Sequence, residues 1–291
     1  MTSAEPVLLA LLASAGFGLA LVVTQFGLRH VQAADGALVS IPTITALLWL
    51  LSPFVFDLSG WQTAAAVIFA LVGLFFPAAV TLLTYEANQR MGPTITGALG
   101  STAPLFAAAG AVLFLGERLT PSSAAATIAF VAGIVTLSWR NGAGGKAWPA
   151  RFLLLPLGAA ALRGLAQAVI KLGLAIWPSP FAASLIGYSV SVASVAADAR
   201  LRRNIIRPAL NTRGVAWFVL VGFCNGGGVF ALYAALERGA VTVVAPTAAT
   251  YPLFALLFGA LLLPDQRIRL QSAIGTLLTV AGVIALLLSR S

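Results

Sequence analysis

Three polar side chains recur every fourth position within one apolar stretch of the sequence: Arg163, Gln167 and Lys171. On a helix, residues four apart share a face, so two cations and an amide line up with no acidic residue in the same stretch. An unpaired guanidinium among apolar side chains is costly. Such a face suits an anionic group, a carboxylate above all. The plainer alternatives are that backbone carbonyls hold Arg163 and that Lys171 stretches its ammonium out to water.

A second polar set surrounds two prolines. Pro104 has Ser101 and Thr102 within a turn, and Pro252 has Thr250 and Tyr251. A proline inside a helix removes one N–H and uncovers carbonyls that a ligand can use. Gly226-Gly227-Gly228 follows Cys224-Asn225 midway along another apolar stretch, and Pro77 holds the corresponding place earlier in the chain. These are read as helix interruptions whose freed backbone groups line a cavity. For the glycines, close helix packing is the alternative, because Gly222 and Gly226 form a GxxxG pair. Tyr85 and Tyr233 can stack on a ring or bond a carboxylate, or else anchor at an interface. Gln25 and Asn225 complete the polar set.

The parts for catalysis are missing. The glycine-rich run at 142–146 lacks the GxxxxGK(S/T) spacing of a phosphate loop. One histidine, His30, supplies neither a metal cluster nor a Ser-His dyad. No cofactor or metal is expected, and an enzyme remains only as the alternative class.

These residues need elements to hold them. Of 291 residues, 60% are hydrophobic and 9% are charged, whereas a soluble domain carries about 25% charged residues. So few charges cannot cover a water-facing surface, and the chain reads as an all-α integral membrane protein. Ten apolar spans near bilayer length fall at 7–28, 34–56, 62–87, 94–115, 122–139, 151–177, 181–199, 214–236, 241–263 and 270–288. They are apolar on every face, unlike the alternating strands of a membrane barrel. Trp49, Trp61, Trp139, Trp148 and Trp177 lie near span ends, as interfacial anchors do. The net charge of +9 gathers at span ends with no basic face interleaved with aromatics, which excludes nucleic acid as a partner. Membrane lipid and a small-molecule substrate remain, and a monomer is compatible with the sequence. The lone Cys224 excludes an internal disulfide. The opening MTSAEP, without a basic residue, argues against a cleaved signal peptide.

The chain contains itself twice. At an offset of 148 residues Tyr85 falls on Tyr233, Arg90 on Arg238, Thr94 on Thr242, Pro104-Leu105-Phe106 on Pro252-Leu253-Phe254, and Glu117 on Asp265. Near the start of each half, Phe17-Gly-Leu-Ala aligns with Arg163-Gly-Leu-Ala, and Gln25 with Lys171. The units are a first five-helix repeat at 1–140, a linker at 141–150 and a second repeat at 151–291. Five spans is an odd number, so the halves must cross the membrane in opposite directions. Inverted repeats around a shared midplane site are a transporter architecture; duplication kept for packing alone is the alternative.

Tyr85, Arg90, Pro104-Leu105-Phe106 and the helix end Gly116-Glu117-Arg118-Leu119-Thr120-Pro121 resemble the drug/metabolite transporter superfamily, and within it the EamA type. The second copy departs from the pattern, with Pro264-Asp265-Gln266 in place of Gly-Glu-Arg. The likeness spans essentially the whole chain. It implies ten helices in two inverted halves and a central cavity lined by helices 1, 3, 4, 6, 8 and 9. Bacterial exporters of aromatic and other amino acids are the nearest likeness. The expectation is therefore a secondary transporter of the bacterial inner membrane that exports amino acids or similar small metabolites by alternating access. Export of other metabolites or of drugs is the runner-up.

Orientation follows from the basic residues. Connections after odd-numbered spans hold 12 of them: Arg29, Arg90, Arg140, Lys146, Arg151, Arg200, Arg202, Arg203, Arg207, Arg213, Arg267 and Arg269. The other side holds 3, namely Arg118, Arg238 and Arg290. This bias puts the odd connections in the cytoplasm and both termini outside. Single cysteines placed between 200 and 213, in a Cys224-free background, are expected to resist an impermeant maleimide in intact cells. Ready labelling from outside would invert the topology.

Overall fold

The computed structural model describes residues 4–117, 125, 128, 149–202 and 211–262. Within them the regular elements are helices: α1 (Glu5–Leu28), α2 (Ala33–Val55), α3 (Thr63–Gly73), α4 (Ala78–Gly100), α5 (Ala103–Leu115), α6 (Leu154–Ile176), α7 (Pro180–Arg202), α8 (Thr212–Arg238), α9 (Val241–Ala248) and α10 (Tyr251–Leu262), with short 3-10 turns at Leu58–Gly60 and Ala150–Leu153. Seven helical stretches are long and apolar enough to cross a bilayer, and Ala103–Leu115 is a shorter apolar helix. A backbone in hydrocarbon must bond to itself, which leaves helix as the state available to such sequences. Large apolar side chains such as Leu8, Leu12, Leu50, Phe54 and Leu113 stay exposed, as a lipid-facing surface requires. Apart from residues 125 and 128, the spans expected at 122–139 and 270–288, with Arg118 and Asp265, lie outside the described residues.

Several helices differ from the simple spans of the sequence reading. The stretch expected at 62–87 is broken between α3 and α4, at residues 74–77, next to Pro77. α4 breaks again at Gly92, whose φ of 79° and ψ of 170° are left-handed geometry that favours glycine. Further breaks fall at 101–102 and 249–250. Pro104 and Pro252 therefore do not kink continuous helices; each stands in the first turn of a new one, where a missing N–H costs nothing.

The glycine run departs from expectation in the opposite direction. α8 runs unbroken through Gly226, Gly227 and Gly228, so there is no interruption there. A Cβ on Gly226 would strike Ile44 of α2, and one on Gly228 would meet Phe17 and Ala13 of α1. Gly227 has open space around it. The run is a close-packing device, as small residues at membrane helix contacts commonly are.

The first span of each half packs on the third and fourth spans of the other. α1 lies antiparallel along α8 and touches α9 and α10, while α6 lies against α3, α4 and α5. The two contacts match in detail. A Cβ on Gly18 of α1 would meet the Tyr251 carbonyl, the Phe254 Cβ and the Ala255 nitrogen. One on Gly164 of α6 would meet the Ala103 carbonyl, the Phe106 Cβ and the Ala107 nitrogen, each 148 residues earlier in the chain. Trp177, expected to anchor at an interface, is instead buried beside Phe56, Trp61 and Phe69.

Substitutions at the glycine run separate packing from interruption. Gly226→Leu is expected to lower stability by about 1–3 kcal/mol or more through overpacking against Ile44. Gly227→Leu, on the open face, should fold as the parent does. Thermal unfolding in detergent followed by size-exclusion chromatography distinguishes them, and equal loss at both positions would contradict this packing.

Candidate functional site

A cavity lies where the broken helices meet. It draws on six spans: Phe17 and Leu21 from α1, Thr84 and Tyr85 from α4, Thr96 and Gly100 beyond the Gly92 break, Pro156 and Arg163 from α6, Asn225 from α8 and Tyr251 from α10. In the ten-span numbering expected from the sequence these are 1, 3, 4, 6, 8 and 9. A second, smaller space adjoins it, and Phe17, Arg163 and Tyr251 line both. Gln167, Leu232 and Ala248 are found on the second alone.

Arg163 is the charged group at the junction. Its guanidinium lies 5.7 Å from the Phe17 ring centroid and 5.6 Å from that of Tyr251. Among the described residues no carboxylate pairs with it. Two ring faces supply about 0.5–2 kcal/mol each, less than an oppositely charged group would, so the cation is held but not neutralised. Gln167, one turn along, is buried, and its Oε1 has no hydrogen-bond partner. A buried acceptor left unmet costs about 1–3 kcal/mol. Arg163, without a carboxylate partner among the described residues, and Gln167, with its unmet acceptor, thus line the same smaller space.

The other sequence candidates divide. Asn225 and Tyr251 line the larger cavity, as does Tyr85, whose hydroxyl donates to Ser40 Oγ at 3.0 Å while its ring packs 5.3 Å from that of Phe218. Tyr233 is buried against Phe76 and lines neither cavity; it sits inside the bundle, not at an interface. Gln25 turns to Asn88, 3.3 Å away. Lys171 does not reach the cavity either. Its ammonium donates to the Leu236 carbonyl at 2.5 Å and to the Glu237 carbonyl at 3.3 Å.

Ser101, Thr102 and Thr250 serve the breaks. Ser101 Oγ donates to the Gly97 carbonyl at 2.8 Å and to the Ala249 carbonyl at 3.3 Å. Thr102 Oγ1 donates to the Leu99 carbonyl, and Thr250 Oγ1 shares a 2.7 Å contact with Ser14 Oγ. The Tyr251 hydroxyl crosses to the Gly97 carbonyl at 3.1 Å. Pro77 belongs to the α3–α4 break, which Ser191 of α7 spans by donating to the Gly73 carbonyl at 2.6 Å and accepting from the Ala78 N–H at 3.3 Å.

Sequence reasoning passed over Phe17, Thr24, Thr84 and Thr96 in the cavity wall, and Asn88, buried with its amide on the Leu21 carbonyl. For Phe17 a signal existed. It is the repeat counterpart of Arg163, and the two side chains meet.

The buried Tyr85–Ser40 hydrogen bond is testable by itself. Tyr85→Phe and Ser40→Ala should each destabilise by about 1 kcal/mol, and the double variant by little more than either alone. Additive losses in SDS-driven unfolding would show that the two hydroxyls do not depend on one another.

Comparison with known proteins adds to this geometry. The sequence matches the EamA-like transporter family twice, over residues 5–139 and again over 151–288. No curated protein matches it. A solved crystal structure is similar in fold, with a TM-score of 0.73 over 100% of this chain and 98% of the other at 19% sequence identity.

Proposed function

Because this chain belongs to the EamA-like transporter family, whose members carry small molecules across membranes, we propose that it exports amino acids from the bacterial cytoplasm by alternating access. The protein is an integral, multi-pass membrane transporter of small molecules.

The proposal takes ten spans in two inverted halves, 1–140 and 151–291, with spans at 122–139 and 270–288 completing the bundle. What supports inversion is the end of α6. Trp177 there packs 5.9 Å from Phe56 and 5.4 Å from Trp61, in the α2–α3 connection. A hairpin returns that connection to the level where α1 begins, so the equivalent helices α1 and α6 run in opposite senses. Five-span halves of this kind can exchange conformations around the cavity between them.

The observation that carries the substrate class is the unneutralised Arg163 in the wall of both spaces. A substrate carboxylate gives it the charged partner that the protein withholds. Gln167 Oε1, buried and unmet, accepts from the substrate ammonium. Phe17, Tyr85 and Tyr251 offer ring surface to an apolar side chain, and an apolar wall discriminates weakly between similar groups, which favours a broad range of amino acids. Asn225 is the remaining polar contact. Gln25, Lys171 and Tyr233 drop out of the site because other groups hold them or because they stand behind its wall. The direction of transport comes from the likeness to exporters, and the inner membrane from the same source.

The test is overexpression in cells loaded with dipeptides, following free amino acids in the medium. At least one amino acid should leave faster than from control cells. Arg163→Ala should cut that outflow about tenfold or more, as expected for loss of charge-assisted bonds. No increase for any amino acid refutes the substrate class. Unchanged outflow in Arg163→Ala refutes the site.

A further inference from the structure

The connection from α8 to α9 is gripped by charges of matching polarity. Glu117, just past the end of α5, accepts from the Val241 N–H at 3.0 Å, from the Thr242 N–H at 3.3 Å and from Thr242 Oγ1 at 2.9 Å. Its carboxylate thus occupies the N-terminus of α9, where unpaired N–H groups and the helix dipole favour a negative charge. A few residues earlier, the Lys171 ammonium from α6 sits on the carbonyls of Leu236 and Glu237, at the C-terminus of α8, where a positive charge is favoured. Lys171 also lies within electrostatic reach of the Glu117 and Glu237 carboxylates. Arg238, in the same connection, pairs at 2.8 Å with Glu5 at the start of α1.

This grip stands at one end of the bundle. The larger cavity runs from Arg163 and Tyr251 the other way, towards Thr24, Thr84 and Pro156. Leu232 and Ala245 line the smaller space. One turn nearer the grip come Leu236 and Val241, both fully buried, so apolar side chains close the path here. α9 is only 8 residues long and is separated from α10 by the break at 249–250. It can tilt without dragging α10, provided that its N-terminus is let go. Glu117 lies in the first family match and α9 in the second, so the contact is one between halves.

We propose that Glu117 and Lys171 form an electrostatic latch that holds α9 down and keeps the transport path shut at this end, and that substrate leaves here only when the latch opens. They are positioning residues that act through α9 and do not touch the substrate. The latch suits a gate because its bonds are charge-assisted and lie at a helix end. Once α9 moves, water can solvate both charges, whereas a buried apolar seam has no such exchange. The inference rests on the alternating-access reading, and its second measurement on the amino-acid reading as well.

Two measurements test it, both in a Cys224-free background. The first labels Ala248→Cys, in the wall of the smaller space, with an impermeant thiol reagent applied from the Glu117 side. Losing a helix cap of this kind shifts an equilibrium about tenfold, so adding Glu117→Ala should speed labelling by about that factor, and Glu117→Asp should restore the slow rate. The second oxidises Glu117→Cys/Thr242→Cys in the dipeptide-loaded cells, with mass spectrometry to identify the linked species. Linked protein should export nothing, and reductant should restore export. A purely structural staple would tolerate the link. Equal, measurable labelling with and without Glu117 overturns the latch and leaves alternating access standing. Export that continues through the linked protein, with no labelling in either form, overturns alternating access at this end as well.

Discussion

The structure depends on one constraint: helices that break inside a membrane must have their exposed backbone groups satisfied by something other than water. The described part of the chain breaks at 74–77, at Gly92, at 101–102 and at 249–250. Three of these breaks are closed by side chains from other helices. Ser191 of α7 spans the first, meeting the carbonyl before it and the N–H after it. Ser101 reaches from one central break to the other, and Ala249, whose carbonyl it meets, is its own counterpart at an interval of 148 residues. The Tyr251 hydroxyl returns the contact by bonding the Gly97 carbonyl. The two halves are thus joined at the point where each is least regular, and the cavity forms there because broken helices cannot pack tightly against one another.

The same logic sorts the cations. Arg163 and Lys171 share a helix face two turns apart, and nothing in their local sequence distinguishes their fates. Lys171 lies level with the end of α8 and finds free carbonyls. Arg163 lies level with the central breaks, where hydroxyls already serve much of the exposed backbone, and finds two aromatic rings. One cation is satisfied by backbone carbonyls and the other is held between two rings in the cavity wall.

Close packing supplies what hydrophobicity cannot. Between helices in lipid there is little hydrophobic driving force, so van der Waals contact through small residues has to hold the bundle. Gly27 and Gly36 both lie against the ring of Phe218, Gly173 lies against Phe69, and Gly226 against Ile44. Phe218 in turn packs against the ring of Tyr85 in the cavity wall.

Much was legible in the sequence for physical reasons. Composition determined the solvent of the fold, because 9% charged residues cannot cover a water-exposed surface. The internal repeat determined that two like units pair, and the arginine amid apolar residues marked a side chain that stands in the cavity wall. Pro104 and Pro252 marked the right places but not the right geometry: a proline signals a helix start as readily as a kink, and only the preceding residues' partners decide. Gly226–Gly228 looked like an interruption, yet a glycine run in hydrocarbon stays helical when its neighbours press closely enough to use the missing side chains. Which polar groups meet was beyond the sequence altogether. Gln25 with Asn88, Lys171 with the end of α8, and Glu117 with the start of α9 are pairs 63 to 125 residues apart. Such pairing depends on the depth of each group in the membrane and on which helix end stands opposite. Tertiary structure alone sets both.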